Sequence, residues 1–177
     1  MHKILHRILR AGIVTEPARA PDPALRALSQ RLEPLVLKRL GRALAVRHVD
    51  AGSCNGCELE IHALGNPYYN LEGLGMKFVA SPRHADLLLV TGPVSRNMEQ
   101  ALLRTYAAMP EPKLVVAVGD CGCTGGIFGE SCASLGRVSS VLPVDVAVAG
   151  CPPQPAAILQ AILTAVTNDR RNSPASP

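Results

Sequence analysis

Four of the six cysteines stand in glycine-rich settings suited to holding metal. They are Cys54 and Cys57 in Ser53-Cys54-Asn55-Gly56-Cys57, Cys121 in Gly119-Asp120-Cys121, and Cys151 in Gly150-Cys151-Pro152-Pro153. Thiolates are soft ligands that select iron–sulfur clusters, zinc and similar centres. Small residues let backbone N–H groups approach an anionic cluster and donate hydrogen bonds to its sulfides, which tunes the reduction potential. The chemistry expected of such a centre is electron transfer through one 4Fe–4S cluster on Cys54, Cys57, Cys121 and Cys151. Cys151 precedes two prolines at an expected helix start, where the dipole favours a thiolate.

Other readings use the same thiols. A structural zinc site takes four cysteines, usually as two close pairs on small knuckles; here only Cys54 and Cys57 are close. A thioredoxin-like Cys-x-x-Cys also follows a strand and opens a helix, but leaves Cys121 and Cys151 without a role. Structural disulfides and unrelated buried cysteines complete the alternatives. Cys123 lies two residues from Cys121, too near for both to take separate corners of one cluster, and Cys132 lies in a Ser/Gly-rich stretch. Both are read as non-ligands.

The surrounding pattern positions these residues. Short apolar runs alternate with helical stretches from residue 45 onward. Strands are expected at Ala45 to Asp50, Lys77 to Ala80, Asp86 to Thr91, Lys113 to Val118 and Val144 to Val148. Helices are expected at Glu58 to Leu64, Asn97 to Ala108 and Pro152 to Val166, the last with prolines in its first turn. The alternation argues for a parallel α/β sheet flanked by helices. All three cysteine loops directly follow strands. In a parallel sheet such loops open on one edge, at the carboxyl ends of the strands, so thiols distant in sequence would meet there.

Composition agrees. Of 177 residues, 47% are hydrophobic but only 3% aromatic, so the core is built from Val, Leu, Ile and Ala, as in a sheet buried on both faces. Residues 1–49 carry ten Lys/Arg against three acidic residues, and residues 50–177 carry eight against eleven. The basic character is N-terminal. With no interleaved aromatics and no nucleic-acid motif, it argues for a lipid or protein partner and against nucleic acid. Charges interrupt every apolar run near the start, so no secretory signal is expected. No run of about 18 apolar residues exists to span a membrane. Free thiols in reducing cytoplasm are therefore expected.

Residues 1–45 read as a basic helical extension and linker, 46–167 as the cluster domain, and 168–177 as a disordered tail. Ile4, Leu5, Ile8 and Leu9 share one helical face. A Pro/Ala-rich linker, Glu16 to Pro23, follows it. A second amphipathic stretch, Ala24 to Ala43, contains Pro34, expected to kink or split it. Both segments are expected to pack on a neighbour, with direct adsorption to a membrane surface as the sharper alternative.

Further stretches carry a resemblance. They are Ser53-Cys54-Asn55-Gly56-Cys57-Glu58-Leu59-Glu60, Ser81 to Asp86, Met109 to Lys113, Gly119-Asp120-Cys121, Gly125-Gly126, Pro143-Val144-Asp145 and Gly150 to Pro153. Over roughly residues 47–166 the chain resembles the 20 kDa iron–sulfur subunit of respiratory complex I and the small subunits of membrane-bound group 4 nickel–iron hydrogenases. The resemblance implies a flavodoxin-like fold, one 4Fe–4S cluster, and the ligands Cys54, Cys57, Cys121 and Cys151, with Cys123 a non-ligand. Complex I proper has two adjacent cysteines at the first motif. The Cys-x-x-Cys here is of the hydrogenase type, as in formate hydrogenlyase or energy-converting hydrogenases. The implied partners are a large catalytic subunit, nickel–iron or its complex I counterpart, with other iron–sulfur and membrane-anchor subunits. The implied place is peripheral, on the cytoplasmic face of a membrane. A quinone-reducing complex I-type subunit and a structural zinc module are the alternatives.

The remaining polar residues are read conservatively. The family's acidic residue three after the second cysteine falls on Glu60; it and Glu58 are read as helix N-terminal carboxylates, with proton movement as the alternative. Arg83 is read as a surface salt bridge or a residue near the cluster or a partner. His62 and His84 are read as non-ligands, and Asp86 as a strand-capping residue.

Overall fold

Strand formation follows the apolar runs. The computed structural model describes residues 2–12 and 22–168. Five strands form one parallel sheet: β1 Leu44–Asp50, β2 Met76–Phe78, β3 Leu87–Thr91, β4 Leu114–Val118 and β5 Val146–Val148, in the order β2-β1-β3-β4-β5. β3 and β4 are buried at every position, as central strands covered on both faces must be. The edge strands β2 and β5 have only three residues each, which limits their open backbone. This is the flavodoxin-like order, in which ligands gather outside the carboxyl ends of the strands.

The described residues form six helices, α1 His2–Ala11, α2 Pro23–Leu40, α3 Gly56–Ala63, α4 Arg96–Ala108, α5 Gly119–Thr124 and α6 Pro155–Asn168, of which all but α1 contribute to packing around the sheet. One apolar layer joins Leu44, Val46, Leu87, Leu89 and Val116 of the sheet to α2, α3 and α6. The opposite layer joins Val49, Leu88, Val90, Val115 and Ala117 to Leu102 of α4. In α4, Met98, Leu102 and Tyr106 recur every fourth residue and turn inward.

Aspartates fasten the strand entrances. Asp86 accepts from Ala45 N at 2.9 Å and takes a two-pronged contact from Arg42 at 2.6 and 2.8 Å. Asp145 accepts from Val115 N at 2.8 Å. Asp86 is thus structural, as its position before β3 suggests.

Three expectations change. α2 packs on this chain's own α6 instead of a neighbour, burying Leu25, Leu28, Leu32 and Val36. Each such side chain contributes about 1.5–3 kcal/mol of gross burial. α2 also runs unbroken through the exposed Pro34. Its start is set by Asp22, which accepts from Ala24 N at 2.8 Å, with Pro23 at the first helical position. Finally, α6 begins at Pro155 and not Pro152, so Cys151 lies in a turn before the helix. The linker after Gly12 and the tail after Asn168 lie outside the described residues, apart from Asp22 and Pro23. No helix among the described residues is long and apolar enough to cross a membrane.

Candidate metal centre

Three loops meet at the carboxyl edge of the sheet. Cys54 and Cys57 follow β1, Cys121 follows β4, and Cys151 follows β5. Asp50, the last residue of β1, shapes the first loop: its Oδ1 accepts from Gly52 N at 2.8 Å and Ser53 N at 2.7 Å. Ser53 Oγ then accepts from Asn55 N at 3.1 Å. Asn55, in the left-handed region at φ 72°, leads into α3, whose first turn carries Cys57. Cys121 rides on α5 instead of an open loop, a helix of one and a half turns directly after β4.

The second and third loops are tied together by Asp120. Its N–H donates to Gly150 O at 2.9 Å, and its Oδ1 accepts from Gly150 N at 2.7 Å. This two-way link fixes the Cys121 and Cys151 turns relative to each other. Sequence reasoning assigned Asp120 nothing; its signal was its place between Gly119 and Cys121.

Glycines make room for the thiols. A Cβ on Gly119 would stand 2.5 Å from Cys57 Sγ, and one on Gly126 would stand 2.7 Å from Cys121 Sγ. Both have left-handed backbones, φ 86° and 55°, which glycine adopts without steric cost. A Cβ on Gly56 would lie 3.6 Å from Cys54 Sγ and 3.9 Å from Pro152 Cβ, so the Cys54 and Cys151 turns are neighbours.

The thiols feel one another. Burial pushes the Cys57 thiol up to about 12, and Glu58 and the sulfurs of Cys54, Cys121 and Cys151 push it the same way. Burial also raises Cys121, helped by Cys151, Cys54 and Asp120. Cys57 and Cys121 thus resist becoming anions, and a cationic iron core would relieve that cost. The donor set and the cradle therefore fit a thiolate-bound cluster. Among the described residues, no three His, Cys, Asp or Glu side chains are grouped to hold a single metal ion.

The other expected residues fall elsewhere. Cys123 is half-buried on α5, 3.9 Å from Ala117 O, and Cys132 is exposed. Arg83 and His84 are exposed in a 3-10 turn at the amino end of β3, the edge opposite the thiols, so Arg83 does not sit near the site. His62 is exposed late in α3. Glu58 lies in the first turn of α3, as the sequence reading had it, but it is buried. It is 5% exposed, and neither carboxylate oxygen has a hydrogen-bond partner. Its nearest cationic candidate is His48 Nε2 at 3.8 Å. His48 Nε2 lies 3.0 Å from Thr91 Oγ1, and burial holds its pKa below the ordinary histidine value. The two therefore do not form an ion pair at neutral pH. Glu60 is half-buried on α3.

Fold and site together define a flavodoxin-like α/β protein with cysteines collected at the carboxyl edge of its sheet. Residues 54–165 match the family model of the NADH ubiquinone oxidoreductase, 20 Kd subunit, and the chain belongs to that family. It is 45% identical over 139 residues to the probable membrane-bound hydrogenase subunit mbhJ of Pyrococcus furiosus, covering 78% of this chain and 83% of that one. It is 47% identical over 124 residues to formate hydrogenlyase subunit 7 of Escherichia coli, covering 70% of this chain but only 49% of that one. A subunit of the NADH-quinone oxidoreductase of Desulfovibrio desulfuricans is 43% identical over 124 residues, with 70% and 66% covered. The fold matches a chain in the structure of the membrane-bound sulfane sulfur reductase, an archaeal respiratory membrane complex. That match has a TM-score of 0.64 and 31% identity, over 80% of each chain.

Proposed function

We propose that the chain is an electron-transfer subunit of a membrane-associated, hydrogenase-like oxidoreductase complex, holding one 4Fe–4S cluster on Cys54, Cys57, Cys121 and Cys151. The observation that carries this is the meeting of three post-strand turns at one edge of the sheet, where the backbone of Gly119 comes up against Cys57 Sγ, that of Gly126 against Cys121 Sγ, and Gly56 lies between Cys54 Sγ and Pro152. When bound, such a cluster supplies one-electron transfer. The protein's part is to hold and shield it. Asp50 shapes the Cys54 turn, Asp120 locks the Cys121 and Cys151 turns, and Gly119 and Gly126 leave room beside the sulfurs. No bond-making chemistry is assigned to this chain.

Cys54 and Cys151 are exposed, so a partner surface must complete the dry environment that an electron relay needs. The partner is a large catalytic subunit of the nickel–iron type, together with other iron–sulfur and membrane-anchor subunits, at the cytoplasmic face of a membrane. The Cys-x-x-Cys spacing and the similarity to a hydrogenase subunit and a formate hydrogenlyase subunit favour this partner. The similarity to a quinone oxidoreductase subunit supports, as a second reading, a complex I-type partner.

Anaerobic reconstitution tests the assignment. About four iron and four sulfide per chain are expected, with Cys151→Ser losing or crippling the cluster and Cys132→Ser retaining it. Zinc as the sole bound metal in the native protein, or full iron retention in Cys151→Ser, would overturn it.

A further inference from the structure

The helix α1 divides its side chains without exception. At 3.6 residues per turn, Ile4, Leu5, Ile8 and Leu9 fall within an arc of about 140°. His2, Lys3, His6, Arg7 and Arg10 fill an opposite arc of similar width. No acidic residue occurs in the helix. None of its residues is buried: Ile4, Leu5, Ile8 and Leu9 are 64, 57, 60 and 83% exposed. The contrast with α2 is informative, because α2 spends its apolar stripe on the chain's own core. The apolar face of α1 has no such cover among the described residues.

We propose that α1 lies in the interface of an anionic lipid bilayer, giving this chain a membrane contact of its own beside those of its partners. Apolar periodicity alone would suit a protein groove equally well. The sign of the charges decides between them. A groove takes up the apolar face and leaves the polar face in water, where either sign serves. An anionic lipid surface selects Lys and Arg on that face and penalises Asp and Glu. Here the face holds three Lys/Arg and no acid, within a segment, residues 1–49, carrying ten Lys/Arg against three acidic residues. The short helix predicts reversible, salt-sensitive binding rather than permanent anchoring.

The full-length chain, reconstituted with iron, is mixed with vesicles of equal phosphatidylglycerol and phosphatidylcholine, or of phosphatidylcholine alone, and sedimented. At low salt, a preference of roughly a hundredfold for the anionic vesicles is expected, about fivefold for each Lys or Arg. Most of it should disappear at high salt as the charges are screened. Leu5→Glu with Ile8→Glu should abolish binding, and Lys3→Gln with Arg7→Gln and Arg10→Gln should abolish the preference, while iron per chain stays unchanged in both. Equal sedimentation with both vesicle types overturns the proposal. So does vesicle binding that persists in the Leu5→Glu, Ile8→Glu chain while that chain no longer co-purifies with its complex, which would make α1 a protein-docking helix. The iron content is read separately, so loss of the cluster assignment and loss of the lipid assignment give different results.

Discussion

Replacing Gly119 with Ala drives a methyl group against Cys57 Sγ. The added Cβ would lie 2.5 Å from that sulfur, far inside van der Waals contact, and 3.5 Å from Gly150 O. Cys57 Sγ hangs one bond from Cβ on the first turn of α3, so relieving the clash means rotating it out of its present position. The backbone adds its own penalty: at φ 86° an L-residue is strained by about 1–2 kcal/mol. For a chain of this size that corresponds to a fall in Tm of about 2–8 °C. Gly56→Ala is the matched control. Its Cβ would meet Cys54 Sγ at 3.6 Å, an ordinary contact, and position 56 is the first residue of a helix, where Ala is welcome. Anaerobic reconstitution with iron counting, paired with thermal unfolding of the metal-free chain, reads both consequences. Gly119→Ala should lower Tm and bind less iron, while Gly56→Ala should match the parent in both. If the two variants prove indistinguishable, the claim that Gly119 is required by the Cys57 sulfur is wrong.

Other perturbations follow from the same rim. Asp120→Ala removes the acceptor for Gly150 N–H and should cost about 1–3 kcal/mol; Asp120→Asn keeps an oxygen there and should restore most of the iron retention, and equal iron loss in both variants would reject the tether. In the metal-free chain Cys57, at about 12 against an ordinary 9.0, holds about a thousandfold less thiolate than an unshifted thiol at pH 8. Mass-spectrometric mapping of timed iodoacetamide labelling should therefore find Cys57 modified long after the exposed Cys132, and comparable rates would disprove the shift. His48 is held below its unfolded pKa of 6.5, chiefly by burial. Below pH 6.5 the unfolded chain binds a proton that the folded chain refuses, so this stability is present above pH 6.5 and is lost on acidification. Urea unfolding of the metal-free chain at pH 7.5 and 5.5 should show the loss, and His48→Gln should shrink it; an unchanged pH dependence in that variant would refute the assignment.

The strands were legible because their residues leave few other options. Leu87–Val90 and Leu114–Val118 are apolar throughout and too short for helices, and Gly92 and Gly119 close the two runs. A parallel sheet then forces the loops after β1, β4 and β5 to one edge, so the placing of Cys54, Cys57, Cys121 and Cys151 on that edge could be anticipated from the parallel pairing and the loop positions alone. The helix α1 was equally plain, since a two-sided pattern over ten residues is a local property.

Other features depended on what lies across the fold. Apolar spacing marked a helix at α2 but could not say that α6 would cover Leu28 and Leu32. The start of α6 at Pro155 left Cys151 in a turn, because a chain of prolines suits both a first helical turn and the approach to one. Glu58 could be placed in the first turn of a helix from the sequence, but its burial beside His48 depends on a strand ten residues earlier and could not be read there. Asp120 looked ordinary until Gly150, thirty residues away, was seen to hold both its backbone and its carboxylate. Local periodicity and residue type determined the elements and the rim on which the sulfurs lie. Only tertiary packing decided which groups were buried, which turns were tied, and how close the backbone had to come to each sulfur, since those depend on contacts between segments far apart in sequence.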